Sequence, residues 1–174
     1  MRPVLSVLWV AVVALALGCS NIPCPELEAN KDLVTRFGEL LNAADWDGLS
    51  EIAAEDFVRH SDATSGPPIT SLAAFIELQE TYLASMPDQK VTMKQMVAEG
   101  DYVALLATYS GTQTGPVGQL PPTGNFTEVQ FLALFRIEEG MIAELWVEWD
   151  NLAMLDQLGL FPPPEVEVDQ GEEI

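Results

Sequence analysis

The sequence has little that could serve metal or thiol chemistry. Its 174 residues hold two cysteines, Cys19 and Cys24, and a single histidine, His60. Both cysteines lie near the start of the chain, so the part able to fold around a core has none. A Cys/His zinc site is excluded, and a cysteine nucleophile is argued against. Positive charge is scarce too: seven Lys and Arg face 27 Asp and Glu, a net charge of −20. Such a surface repels phosphate, which argues against nucleic acid as a partner and against attraction to anionic lipid headgroups. No internal repeat is visible, and no metal or cofactor is expected.

What is present begins with an apolar leader. Arg2 precedes a mostly apolar run from Val4 to Leu17, followed by Gly18 and Cys19. As a helix that run rises roughly 21 Å, short of a ~30 Å hydrocarbon core, which suits a signal peptide better than a permanent span. Ala16-Leu17-Gly18-Cys19 resembles a bacterial lipobox, in which the cysteine is lipidated and becomes the new N-terminus. The expectation is therefore an exported protein held at the bacterial cell envelope by a lipid on Cys19. The alternative is a soluble secreted or periplasmic protein, in which Cys19 and Cys24 are free to pair.

The expected organisation is a signal peptide over 1–18, a tether over 19–29, one domain over 30–160 and an acidic, proline-rich disordered tail over 161–174. Within the domain, Leu33, Phe37, Leu40 and Leu41 recur at helical spacing, with Asn30 as a cap. A short helix carrying Leu49 and Ile52 and a small extended piece at Phe57-Val58 follow. Ser71 opens a second long helix, Leu72 to Ala84. The period then switches to two over Lys90–Glu99, Tyr102–Gly111, Phe126–Glu138 and Met141–Asp150, with tight turns at Gly100-Asp101 and Glu139-Gly140. Thr114 to Asn125 is a Gly- and Pro-rich connection of the kind that lines a pocket mouth. Leu152 to Leu160 reads as a last helical turn. Helices first, then a meander of strands, define an α+β fold.

The last strand, AELWVEWD, raises the functional question. Alternation puts Glu144, Trp146, Glu148 and Asp150 on one face with Ile142, and Leu145, Val147 and Trp149 on the other. Both faces carry apolar bulk, so periodicity does not say which is concave. A buried carboxylate has a raised pKa and suits general acid/base work. The plainer roles are a Glu144–Arg136 ion pair, a solvated Glu148 and an Asp150 that caps the next helix. Arg59 and Arg136 are expected to pair with acids. Phe126, Phe131 and Phe135 look like core.

The order of several short motifs resembles the SnoaL-like polyketide cyclase family of the nuclear transport factor 2-like superfamily. The resemblance spans about Asn30 to Gly159. It rests on Asp45-Trp46-Asp47, Phe57-Val58-Arg59-His60, Met86-Pro87-Asp88 and Glu99-Gly100-Asp101. Further on come Gly111-Thr112-Gln113-Thr114-Gly115, Pro121-Pro122-Thr123-Gly124, Phe135-Arg136-Ile137 and Gly140 to Glu144, then Trp146, Asp150 and Gln157-Leu158-Gly159. It implies a cone-shaped, strongly curved antiparallel sheet wrapped on N-terminal helices, with an apolar pocket on the concave face. It also implies a cofactor-independent ring closure driven by a pocket acid, which maps to Asp150. On that basis Glu144, Trp146 and Asp150 face inward, and His60 sits at the pocket rim. Catalytic candidates are Asp150, His60 and Glu148. Binding candidates are Trp146, Glu144, Tyr109, Gln113, Trp46 and Tyr82, of which the three aromatics Tyr109, Trp46 and Tyr82 serve equally well as core.

Two residues depart from the family pattern: Gln113 replaces a frequent His, and Glu148 a usual apolar residue. Export also removes the chain from the cytoplasm where polyketides are made. The expected function is proton-transfer chemistry of the cyclase or isomerase kind on a small apolar carbonyl compound. The alternative is an envelope lipoprotein that binds a small hydrophobic ligand without turning it over. A homodimer through the sheet is expected by analogy.

Overall fold

Residues that alternate in hydropathy after Lys90 build the frame on which everything else hangs. In the computed structural model, which describes residues 24–63, 67–118 and 120–161, they form β2 (Lys90–Glu99), β3 (Tyr102–Thr112), β4 (Phe126–Glu138) and β5 (Met141–Trp149). These four run antiparallel, in register from Glu99 opposite Tyr102 to Phe131 opposite Trp149. β1 (Ala53–His60) lies along the far side of β5 and is parallel to it, giving the order β1-β5-β4-β3-β2. The sheet is thus mixed, and β1 is longer than the extended piece expected at Phe57-Val58. Gly100 takes φ 55° and Glu139 and Gly140 take φ 52° and 78°, which closes the two tight hairpins.

One face of the sheet is covered by α1 (Pro25–Ala43) and α3 (Leu72–Ser85). Phe37 of α1 meets Phe57, Phe75 and Phe135 at ring-centroid distances of 6.3, 5.9 and 5.5 Å, which ties two helices to β1 and β4. Losing such a buried ring costs about 3–5 kcal/mol. Ser71 caps α3 by accepting from Ala74 N, as its place before the apolar run predicts. α2 (Trp46–Ser50) is capped by Asp45, which accepts from Gly48 N.

α1 starts at Pro25, five residues before the expected cap. Proline at the first helical position lacks only an N–H that would be unsatisfied anyway, and Glu26 and Glu28 in the first turn suit the positive end of the helix dipole. The tether expected over 19–29 therefore gives way to helix from Pro25. Asn30 caps nothing; it donates instead to Gly100 O at 3.2 Å. Phe126, expected in the core, is 58% exposed, whereas Phe131 and Phe135 are buried. α4 (Asn151–Gln157) follows β5 directly. The leader, Cys19 and nearly all of the expected tail lie outside the described residues. Among the described residues no helix is long and apolar enough to cross a membrane.

Candidate functional site

Strand parity decides what the helices cover. Phe57 and Arg59 of β1, Leu145, Val147 and Trp149 of β5, and Phe131, Ala133 and Phe135 of β4 all point to the helix side. All of these but Phe57 line a chamber of about 60 Å³, together with Phe37, Phe75, Tyr82, Tyr109 and neighbours. A second, wider space of about 480 Å³ lies outside it, bounded by Met86, Val117, Leu120, Asn151, Met154 and Leu155 among others. Tyr82, Tyr109 and Trp149 line both. The three aromatics stand where the smaller space, the inner chamber, adjoins the wider one, the vestibule. Tyr109 holds its place by donating to Gln89 Oε1 at 2.7 Å and by edge contact with Trp149 at 5.4 Å.

The walls are mostly apolar, with a few convergent polar groups, as a small-molecule site requires. Arg59 lines the inner chamber and is 4% exposed. Burial pulls its pKa below the usual guanidinium value, while Tyr82 and then Glu148 work the other way. Burial raises the Tyr82 phenol, opposed by Arg59. It raises Tyr109 still more strongly. Both phenols stay protonated and able to donate. No Asp, Glu or His lines either space among the described residues.

The mouth is pinned from two sides. Thr114 N and Gly115 N both donate to Ser85 O at 3.0 Å, and Ser85 Oγ donates to Pro116 O. A Cβ on Gly115 would lie 2.5 Å from Ala84 O, so only glycine fits this approach. Gln113 is wholly buried. Its Nε2 donates to Pro121 O, and its Oε1 accepts from Thr123 N and Thr123 Oγ1. On the other side, Gln157 Oε1 accepts from Thr127 Oγ1 and Glu128 N, which docks α4 on β4.

The acidic, tryptophan-bearing side of β5 faces away from this pocket, contrary to expectation. Glu144, Trp146 and Glu148 lie on the outer face of the sheet. Arg136 sits opposite Glu144 and donates to its Oε1 from Nε and one terminal nitrogen, at 3.0 and 2.7 Å. His60 Nε2 lies 3.2 Å from the other carboxylate oxygen, and its ring stacks on Trp146 at 4.8 Å. Burial alone would raise the Glu144 pKa, but the bonds from Arg136 and His60 prevail and leave it lowered. Glu148 accepts from Asp62 N and Ala63 N. Asp150 accepts from Ala153 N at 2.9 Å and so caps α4, exposed to solvent. Outward placing leaves these carboxylates partly hydrated and paired, and avoids the cost of burying them.

A bulge also breaks the assumed alternation. Arg136 pairs with Glu144 but Ile137 pairs with Ile142, so Ala143 is extra and Ile142 does not share a face with Glu144. Of the nine candidate residues, Tyr82 and Tyr109 reach the pocket. Gln113 holds its rim from behind. Trp46 packs against the core without lining either space. Asp150, His60, Glu148, Glu144 and Trp146 are elsewhere. Arg59, expected only as a partner of acids, lines the chamber, and its place two positions after Phe57 gives it the same face.

A curved sheet closed by helices over an apolar hollow is the pocket fold of nuclear transport factor 2-like proteins. Residues 31–158 match the model of the SnoaL-like polyketide cyclases, and the chain belongs to that family. IdmH from Streptomyces antibioticus, a candidate polyketide cyclase, is 31% identical with a TM-score of 0.68, over 75% of this chain and 98% of that one. AclR from Streptomyces galilaeus, a candidate hydroxylase, is 26% identical with a TM-score of 0.68, over 80% and 85%. A candidate SnoaL-like cyclase from Jannaschia sp. CCS1 shares the fold with a TM-score of 0.72 at 24% identity, over 79% and 96%. No curated protein matches the chain.

Proposed function

We propose that this chain binds a small, largely apolar compound in the space behind Tyr82, Tyr109 and Trp149. One observation carries the reading: the described lining is apolar with a few donors and holds no carboxylate or imidazole. Ring closure by a pocket acid needs a base in reach of a carbon-bound proton. Asp150, His60 and Glu148 are engaged elsewhere, so none of them supports proton-transfer chemistry in this pocket. Binding of a carbonyl compound needs only donors, and Tyr82 and Arg59 supply them. The test is calorimetric titration of the full chain with the uncharged compound naphthalene-2-carboxamide. Saturable one-site binding that is lost in Ala133→Trp supports the reading; no binding, or binding indifferent to that change, rejects it.

Two properties accompany this reading. The leader's apolar length and its Ala16-Leu17-Gly18-Cys19 end support export and a lipid on Cys19. Fatty-acid labelling that disappears in Cys19→Ser tests this, and labelling that persists contradicts it. The outer face also supports a homodimer. Val97, Ala104, Leu134, Trp146 and His60 form one row across all five strands, with Leu132 exposed beside it. A second copy would cover the exposed apolar side chains Val97, Leu132 and Leu134 of a strongly acidic chain. Sedimentation should give twice the chain mass, reduced to one by Leu132→Glu.

A further inference from the structure

We infer that the ligand carries an oxyanion, a carboxylate in the first instance, and that Arg59 and Tyr82 receive it in the inner chamber. This rests on the proposed function and names the chemistry of the compound bound.

Three features lead there. Arg59 is the one charged residue among the described lining of both spaces, and Glu148 acts on it electrostatically from outside that lining. Its placement is fixed by the backbone. Arg59 N donates to Ile69 O and Arg59 O accepts from Ile69 N on one side, while Leu145 sits opposite on the other. The strand is therefore held at both edges and its side chain is aimed at the chamber. Lastly, Tyr82 lines the chamber beside Arg59 and lines the vestibule as well, which places a phenolic donor on the way in.

The sizes are consistent with this division. A volume of about 60 Å³ has room for roughly four waters, or for a head group of a few atoms. The apolar body of the ligand then occupies the vestibule, whose about 480 Å³ is bounded chiefly by Met86, Val117, Leu120, Trp149, Met154 and Leu155. A guanidinium in low dielectric gains more from an opposite charge than one in water, and its planar fork matches a carboxylate. The surface acids work against an anion at long range, but salt screens them over about 8 Å. The chamber wall decides local preference.

The experiment compares naphthalene-2-carboxylate with its neutral isostere naphthalene-2-carboxamide, by calorimetry on the full chain. The carboxylate should bind at least tenfold more tightly. Arg59→Met should reduce that preference to below twofold, the carboxylate losing far more affinity than the carboxamide, and Arg59→Lys should restore part of it. Equal affinity in the unmodified chain overturns the oxyanion assignment and leaves the pocket reading standing. Binding of neither compound overturns both. Should Arg59→Met fail to fold, the Nε–H resonance of Arg59 decides in the unmodified protein. It should move farther on addition of the carboxylate than of the carboxamide; a resonance unmoved by saturating carboxylate overturns the inference.

Discussion

Filling the inner chamber should make the protein more stable and less able to bind. Ala133 sits on the inner face of β4, between Leu105 and Val147 in register, and its side chain lines the chamber. Ala133→Val adds two carbons there and brings a residue that strands favour. Two buried carbons contribute ~1.6 kcal/mol at ~0.8 kcal/mol each. Filling a volume of about 60 Å³ at ~24 cal/mol per Å³ gives at most ~1.4 kcal/mol, of the same order. For a domain of this size that raises Tm by about 6 °C. Differential scanning calorimetry of the apo protein reads the gain, and titration with naphthalene-2-carboxamide reads the expected loss of at least tenfold in affinity. A variant that is destabilised by more than ~1 kcal/mol would show that the space is already filled by packing the geometry does not reveal. A variant that is more stable yet binds as before would show that the ligand never enters the chamber. Either result refutes the reasoning.

Three further outcomes follow from the same contacts. Asp150→Ala removes the cap of α4 and should cost about 1 kcal/mol in denaturant unfolding, with ligand affinity unchanged within twofold; a total loss of binding would return Asp150 to the site. Gln113→Ala leaves Thr123 N, Thr123 Oγ1 and Pro121 O without their buried partner and should cost about 2–3 kcal/mol, with faster proteolysis between Thr114 and Asn125. Asp88 is held below its ordinary value of 3.8 by Thr112 N–H and then Thr112 O–H, and Glu144 lies below 4.5 because Arg136 and His60 outweigh burial. Depressed carboxylates stabilise the fold above their unfolded values and lose that contribution as pH falls. Stability should therefore drop from about pH 5 downward, and Asp88→Asn with Glu144→Gln should flatten the slope; an unchanged slope contradicts the assignment.

The fold was legible because a two-residue period over four segments leaves a chain little choice but long antiparallel strands. Ser71 before an apolar run, and Gly or Glu-Gly pairs between strands, carried their usual meanings. The start of α1 was not legible from composition, since Pro25 and the surrounding acids read equally as a tether. Only their position in the first turn makes them helical. The inward face of β5 was the larger difference. Leu145, Val147 and Trp149 compete with Trp146 for burial on nearly equal apolar terms, so hydropathy alone leaves the faces tied. The tie is broken by the neighbouring strand, where Arg136 in register with Glu144 offers that carboxylate a partner on the outside. The bulge at Ala143 then detaches Ile142 from the acidic face. Both facts depend on pairing between strands, which a single strand's pattern does not contain. Arg59 was legible in principle, because it shares its face with Phe57, but the many acids of the chain pointed to an ion-pair role instead.

The account's central claim is that ligands meet the Trp149 face of the sheet and not the Trp146 face, a few ångströms away through the same strand. The indole N–H resonances of the two residues report on the two sides separately in one titration with naphthalene-2-carboxamide. The account predicts that the Trp149 signal shifts in a saturable way while the Trp146 signal stays fixed; a shifting Trp146 beside an unmoved Trp149 would contradict it.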